Sequence, residues 1–297
     1  MEEKALRLSA VFLMILTAVS FVLLPKLPAL HTWEVEAREE RIAEEEFAQS
    51  QVTMQNLKIK EQNEAAGAKG ELSIRLPEGV TGDQIAVSND YVTQTIRVEI
   101  PQADRTYFDS YPVLGNSDYI DGLSYTRQGE MGVIEVTTNK VYELQTEYDA
   151  QNFYFNFLTP HEVYDKVVVI DAGHGGRAVG ANKQGINEKD IDLAIVLKLK
   201  EIFDNSDQNI GVYYTRTDDS NPTFDQRVQL ANKSDADLFI SIHNNSTRSG
   251  RMSGTSGTQV MYDETSEASR QFAQICLEEV TGRIGSRDKG LVEGDSI

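Results

Sequence analysis

Histidine and cysteine, the more discriminating of the metal-holding side chains, are scarce in this 297-residue chain. It has four histidines, His31, His161, His174 and His243, and one cysteine, Cys276. A single thiol makes neither an internal disulfide nor a cysteine-rich zinc site. Any metal must therefore be held by histidine and carboxylate. His174 lies in Asp171-Ala172-Gly173-His174-Gly175-Gly176, and His243 in Ser241-Ile242-His243-Asn244-Asn245. Each follows a short apolar run. Between them, Glu188 opens an amphipathic stretch. Two imidazoles and one carboxylate make a three-ligand set, and zinc held by three protein ligands keeps a fourth position for water, as in hydrolytic sites. Bound zinc lowers the pKa of that water toward about 7 and polarises a scissile carbonyl.

Each residue alone has a plainer reading. The glycine turn could be a tight turn or a phosphate cradle, but it is not G-x-G-x-x-G and lacks the Gly-Lys-Ser/Thr of a P-loop. A glutamate in a first helical turn is favoured by the helix dipole, by about 0.3–1 kcal/mol. His243 could be a strand-end residue bonded to Asn244 or Asn245. The three together, rather than any one, point to a metal.

The elements that must position these residues alternate. Lys166–Asp171 is a continuous apolar run, as in a strand buried on both faces. Asn187 fits a helix N-cap, with Asp190 three residues on as a capping-box partner. Ile191, Ile195, Leu199 and Ile202 then recur near helical spacing. Val212–Tyr214 reads as a strand, Phe224–Asn232 as a helix, Leu238–Ile240 as a strand and Thr258–Tyr262 as another. Glu267–Val280 reads as a helix with Phe272, Cys276 and Val280 on one stripe. Strands alternating with helices predict an α/β sheet. His174 and His243 follow strand C-termini, the edge where such sheets bind ligands.

Upstream the patterns differ. From Glu71 to His161 the period is two. Leu72, Ile74 and Leu76 share a parity, as do Val92, Ile96, Val98 and Ile100, and likewise Phe153, Phe155 and Phe157. This predicts half-buried strands in a small antiparallel sandwich, with turns at Pro77–Gly79 and Leu114–Asn116. No sustained helical period shows there. Its tyrosines could stack on sugars or simply serve as strand residues. Between Glu34 and Phe47 stand seven glutamates and two arginines, which reads as a solvated helix or flexible stalk. Leu8–Leu24 is uncharged over 17 residues, near the short limit for a membrane-spanning helix. Lys4 and Arg7 before it predict a cytoplasmic N-terminus and an outward-facing bulk. A good signal-cleavage site after the run is missing, so an uncleaved anchor is expected. The expected organisation is an anchor over residues 1–30, an acidic linker over 31–70, a β-rich domain over 71–163 and an α/β domain over 164–297.

From Lys166 onward the chain resembles the zinc-dependent N-acetylmuramoyl-L-alanine amidases of the amidase-3 type. The matching pieces are VVVIDAGHGG, NEKDIDLAIVLKLK, YYTRTDD, QRVQLANKSDADLFISIHNN, GTQVMY and RDKGL, in the family's order. The resemblance implies an open mixed sheet with flanking helices, zinc ligands at His174, Glu188 and His243, and a peptidoglycan substrate. The bond cleaved would be the amide between N-acetylmuramic acid and L-alanine of the stem peptide. The β-rich region is similar, more weakly, to the AMIN modules that precede such domains and target them to the envelope. One family piece has no counterpart: a late strand resembling PALLVEVGFLSN, whose glutamate is the general base. The sequence given stops at Ile297, so that base is expected beyond it; Glu293 does not match its position.

Composition narrows the alternatives. Lys plus Arg is 28 against Asp plus Glu 47, a net charge of −19. That balance argues against nucleic acid, which needs clustered cations, and against basic-patch docking on anionic lipid. The remaining alternatives are a non-catalytic wall-binding or regulatory protein with an amidase-like zinc domain, and a zinc peptidase acting on the stem peptide. The absence of H-E-x-x-H counts against the latter.

Overall fold

The computed structural model describes residues 12–18, 55–61, 69–244 and 256–294. The chain divides into two compact units, one of residues 1–45, 166–232 and 236–297 and the other of residues 46–165 and 233–235.

The C-terminal unit is built on a six-stranded mixed sheet. Its strands are β1 (Phe12–Ala18), β2 (Lys166–Ala172), β3 (Ile210–Tyr214), β4 (Leu238–Asn244), β5 (Gly257–Asp263) and β6 (Asp288–Gly294). Their order is β3-β2-β4-β1-β5-β6. β2 runs parallel to both β3 and β4, β1 is parallel to β4 and antiparallel to β5, and β6 is parallel to β5. The helices are α1 (Glu188–Asp204), α2 (Phe224–Lys233) and α3 (Glu267–Ile284). β2 is flanked by strands on both sides, and every residue after Lys166 in it is buried. That burial explains its unbroken apolar run, because successive side chains point to opposite faces and both faces are covered.

α1 covers one face of this sheet. Val196 is fully buried against Val168, Ile170, Ala172 and Ile242, with Ile195, Leu199 and Phe203 packed alongside. Ile191 and Ile202, expected on the buried stripe, are exposed. The stripe passes instead through Asp192 and Val196, a rotation of one residue. α3 packs Ala273 and Leu277, flanked by Phe272 and Cys276, on Val260 and Tyr262. Its C-terminus closes at Gly285, whose φ of 66° is the left-handed cap that glycine adopts at little cost.

The structure does not support the expected membrane-spanning helix. Within the run Leu8–Leu24, Phe12–Ala18 form β1, an inner strand of the sheet. A continuous apolar run suits a strand covered on both faces as well as a helix, and periodicity cannot separate the two. Among the described residues no helix is long and apolar enough to cross a membrane. The rest of the run, Lys4, Arg7, His31 and the acidic stretch Glu34–Phe47 lie outside the described residues.

The other unit is β-rich. Two five-stranded sheets share a core of Leu72, Ile74, Ile96, Val98, Ile100, Ile134 and Phe155. Strands Thr95–Pro101 and Asn152–Leu158 show the alternation that period two predicts. Gln55–Asn56 and Lys60–Glu61, in the stretch read as linker, add one short strand to each sheet. Val92 falls in a turn, where Asp90 Oδ1 accepts from the Val92 and Thr93 amides. Leu114–Gly115 form a short strand rather than a turn. A helix over Arg105–Ser110 had no periodic signal; Asp104 caps it by accepting from the Tyr107 amide.

Candidate metal centre

Three elements of the C-terminal unit converge on one point. His174 stands on the turn after β2, with a left-handed backbone at φ 59° followed by Gly175 and Gly176, also at positive φ. Glu188 is the first residue of α1, and His243 lies one residue before the end of β4. His174 Nε2 is 3.3 Å and His243 Nδ1 is 3.1 Å from the same oxygen, Glu188 Oε1. The two imidazole rings meet nearly edge to face, 4.9 Å between centroids. Both are partly exposed, whereas Glu188 is 6% exposed. The three residues singled out in the sequence are therefore brought together. Of the other histidines, His161 lies in the β-rich unit with Nε2 2.9 Å from Asp235 O, and His31 is outside the described residues.

A fourth group joins them. Asp192, one turn after Glu188 on α1, is fully buried. One donor atom from each of His174, Glu188, Asp192 and His243 lies within 4.8 Å of the others. Asn244 ties the two carboxylates together: its amide donates to Glu188 Oε1 at 2.8 Å and its Nδ2 to Asp192 Oδ1 at 2.7 Å. Asp192 Oδ2 is one of two buried side-chain oxygens among the described residues with no hydrogen-bond partner. Sequence reasoning missed Asp192. Its signal was the i+4 spacing from Glu188, which puts both carboxylates on one helix face.

The electrostatics of the pair are opposite. Burial alone would raise the Glu188 carboxyl, but hydrogen bonds to His174 and His243 hold it well below the usual carboxylate range. Burial, reinforced by the Glu188 charge, pushes Asp192 up to about 8.

The residues present fit a metal ion. The donor set is two imidazole nitrogens and carboxylate oxygens, and the buried Asp192 Oδ2, which has no hydrogen-bond partner, is a donor that a cation could use. The cradle is shaped by glycines. An added Cβ at Gly173 would lie 2.4 Å from His243 Cε1, and one at Gly180 would lie 2.6 Å from His174 Cδ2 and 2.7 Å from Glu188 Oε2. Asn187 is the N-cap of α1, yet its side chain makes no capping bond; its Oδ1 accepts from Asn182 Nδ2 at 2.5 Å and its Nδ2 donates to Asp190. The expected capping box is replaced by this loop contact. Glu293 on β6 accepts from the Tyr262 hydroxyl at 3.2 Å and is not a member of the cluster.

Comparison with known proteins bears on the same segment. Residues 168–296 match the family model described as N-acetylmuramoyl-L-alanine amidase. It is the C-terminal part of this chain that is similar to that amidase family. An uncharacterized protein of Bacillus subtilis, YqiI, is 38% identical over 136 residues, covering 44% of this chain and 61% of that protein. The N-acetylmuramoyl-L-alanine amidase CwlM of Bacillus licheniformis is 33% identical over 123 residues, covering 41% of this chain and 47% of that protein. A solved amidase structure from Clostridium difficile 630 is 32% identical, covering 44% of this chain and 70% of that chain, with a TM-score of 0.41. The chain thus spans between 47% and 61% of the length of these two curated relatives. His174, Glu188, Asp192 and His243 all fall inside the segment so matched.

Proposed function

We propose that this protein is a peptidoglycan hydrolase that cleaves the amide between N-acetylmuramic acid and L-alanine of the stem peptide. The observation that carries the reading is the convergence of His174 Nε2 and His243 Nδ1 on Glu188 Oε1, within a segment that matches amidases. His174, Glu188 and His243 would hold zinc, which when bound supplies an acidified water and a Lewis acid for the scissile carbonyl. Glu188 keeps its charge at neutral pH and holds both rings in place. Its Oε2 accepts from the Ala181 amide at 2.7 Å, and its Oε1 from the Asn244 amide, so the carboxylate cannot swing away. The partly exposed imidazoles and fully buried Asp192 place the open side of the site at the imidazoles, where a glycan-linked amide would approach. Such a substrate sets the working location outside the cytoplasmic membrane. The β-rich unit, on its AMIN-like pattern, would serve wall attachment.

The test is digestion of purified peptidoglycan by the full-length gene product, general base included, followed by mass spectrometry of the products. The expected product is a stem peptide with a free L-alanine amine, lost on chelation and restored by zinc. Cleavage at another peptide bond would refute the assignment. Wall binding without cleavage would favour the non-catalytic reading.

A further inference from the structure

The turn that carries His174 is held by two arginines, Arg216 of the piece YYTRTDD and Arg227 of the piece QRVQLANKSDADLFISIHNN. Arg216 donates from Nε to Ala172 O at 3.0 Å and from Nη2 to Gly173 O at 2.7 Å. The same Nη2 reaches Lys189 O at 2.9 Å, the residue after Glu188. Arg227 donates from Nη1 to Ala172 O and from Nη2 to His174 O, each at 2.8 Å. Three consecutive carbonyls of one turn therefore end on two guanidinium groups. Arg216 is 3% and Arg227 6% exposed. Arg227 also pairs with Asp171 Oδ1. That carboxylate accepts from the Thr215 hydroxyl at 2.5 Å through Oδ1 and from the Ser241 hydroxyl at 2.5 Å through Oδ2. Asp171 lies on β2, Thr215 just after β3 and Ser241 on β4, so one buried anion fastens the three neighbouring strands.

Two like charges packed under one loop are costly unless each is paired and hydrogen-bonded. Here both are spent on fixing backbone around His174, whose left-handed φ is one that a non-glycine residue holds only where its surroundings over-determine it. We propose that Arg216 and Arg227, the latter anchored by Asp171, are positioning residues that fix the His174 turn so that Nε2 faces Glu188. The inference rests on the reading of His174 as a metal ligand only for its consequence, not for the geometry. Arg216 additionally links the turn to the start of α1, so one side chain sets His174 relative to Glu188.

The test uses Arg216→Lys and Arg227→Lys in the full chain. Lysine keeps the charge but is a point donor that cannot span two carbonyls as the guanidinium fork does. Hydrogen exchange of the metal-free protein should show the amides of residues 173–178 opening about tenfold faster in both lysine variants, the loss of roughly one charge-assisted hydrogen bond. Amides within β2, β3 and β4 should stay unchanged. Zinc affinity, measured by competition with a chromophoric chelator, should fall about 10–100-fold, as for other supports of ligand histidines. The visible bands of the cobalt-substituted protein should shift with it. Normal exchange at 173–178, or rescue by lysine of both exchange and affinity, overturns the inference. So does faster exchange spread evenly over β2, β3 and β4, which would mark a general stabilising role. If the unaltered chain binds no zinc while the turn still responds locally, the metal reading fails and the positioning role stands.

Discussion

Gly173→Ala probes the site through a single added methyl. The Gly173 backbone is outside the left-handed region, so alanine meets no conformational penalty there. The added Cβ would sit 2.4 Å from His243 Cε1 and 2.6 Å from both ring nitrogens. Carbon contacts settle near 3.5 Å or beyond, so the ring must retreat by about 1 Å. Metal sites tolerate ligand displacements of only about 0.2 Å. His243 would leave coordination range or strain the remaining ligands. Zinc affinity should fall by about 100-fold, the upper end of what disturbed ligand support costs. The ring is partly exposed and has room to move outward, so overpacking should cost about 1 kcal/mol, the low end for such substitutions. That corresponds to a drop in Tm of about 2–4 °C for a domain of this size. Chelator competition reads the affinity, and calorimetry of the metal-free protein reads the stability. An affinity within threefold of the parent, alongside the expected Tm loss, would show that His243 moved without consequence and is not a ligand.

Three further outcomes are expected. His174→Ala should remove most of the bound zinc, and full stoichiometry by elemental analysis would sink the ligand assignment. Burial favours raising the Asp171 carboxyl, but Arg227, Ser241 and Thr215 hold it below its ordinary value; its stabilisation is thus complete above the unfolded value of about 3.9 and lost as pH falls through the lower folded one. Denaturant midpoints should drop steeply below pH about 4. Asp171→Asn should flatten that drop and cost about 3–5 kcal/mol at neutral pH by leaving Arg227 buried without its counter-charge, whereas an unchanged acid profile would refute the linkage. Leu16→Pro tests the strand reading of the N-terminal run: Leu16 pairs with His243 in β4 and Gln259 in β5, and proline cannot donate to a ladder. Lower Tm and weaker zinc binding are expected, and identical values for both would place the run outside the sheet.

The legible and illegible parts of this protein differ in how far apart their causes lie along the chain. His174, Glu188 and His243 could be picked out because histidines are few and two of them follow apolar runs. β2 was readable because burial on both faces leaves an unbroken apolar string, a property of seven neighbouring residues. Asp192 was not, since a carboxylate beside Ile191 reads as the polar flank of a helix. Only the converging β4 end makes that position interior, and with it the buried stripe turns by one residue. The run Phe12–Ala18 was ambiguous for a related reason: the same apolar string suits bilayer and sheet, and the deciding contacts, β4 and β5, lie more than two hundred residues on. Arg216 and Arg227 are the extreme case. A charged residue has a solvent-facing prior, and nothing local says that Ala172, Gly173 and His174 will each present a carbonyl needing a donor. Every buried backbone group must find a partner, and at a strained turn that partner must come from elsewhere in the chain. The residues that shape a functional turn are therefore the ones a periodic reading assigns to the surface. They are found by asking where the turn's carbonyls end, and here that question leads from His174 to two arginines and one buried aspartate.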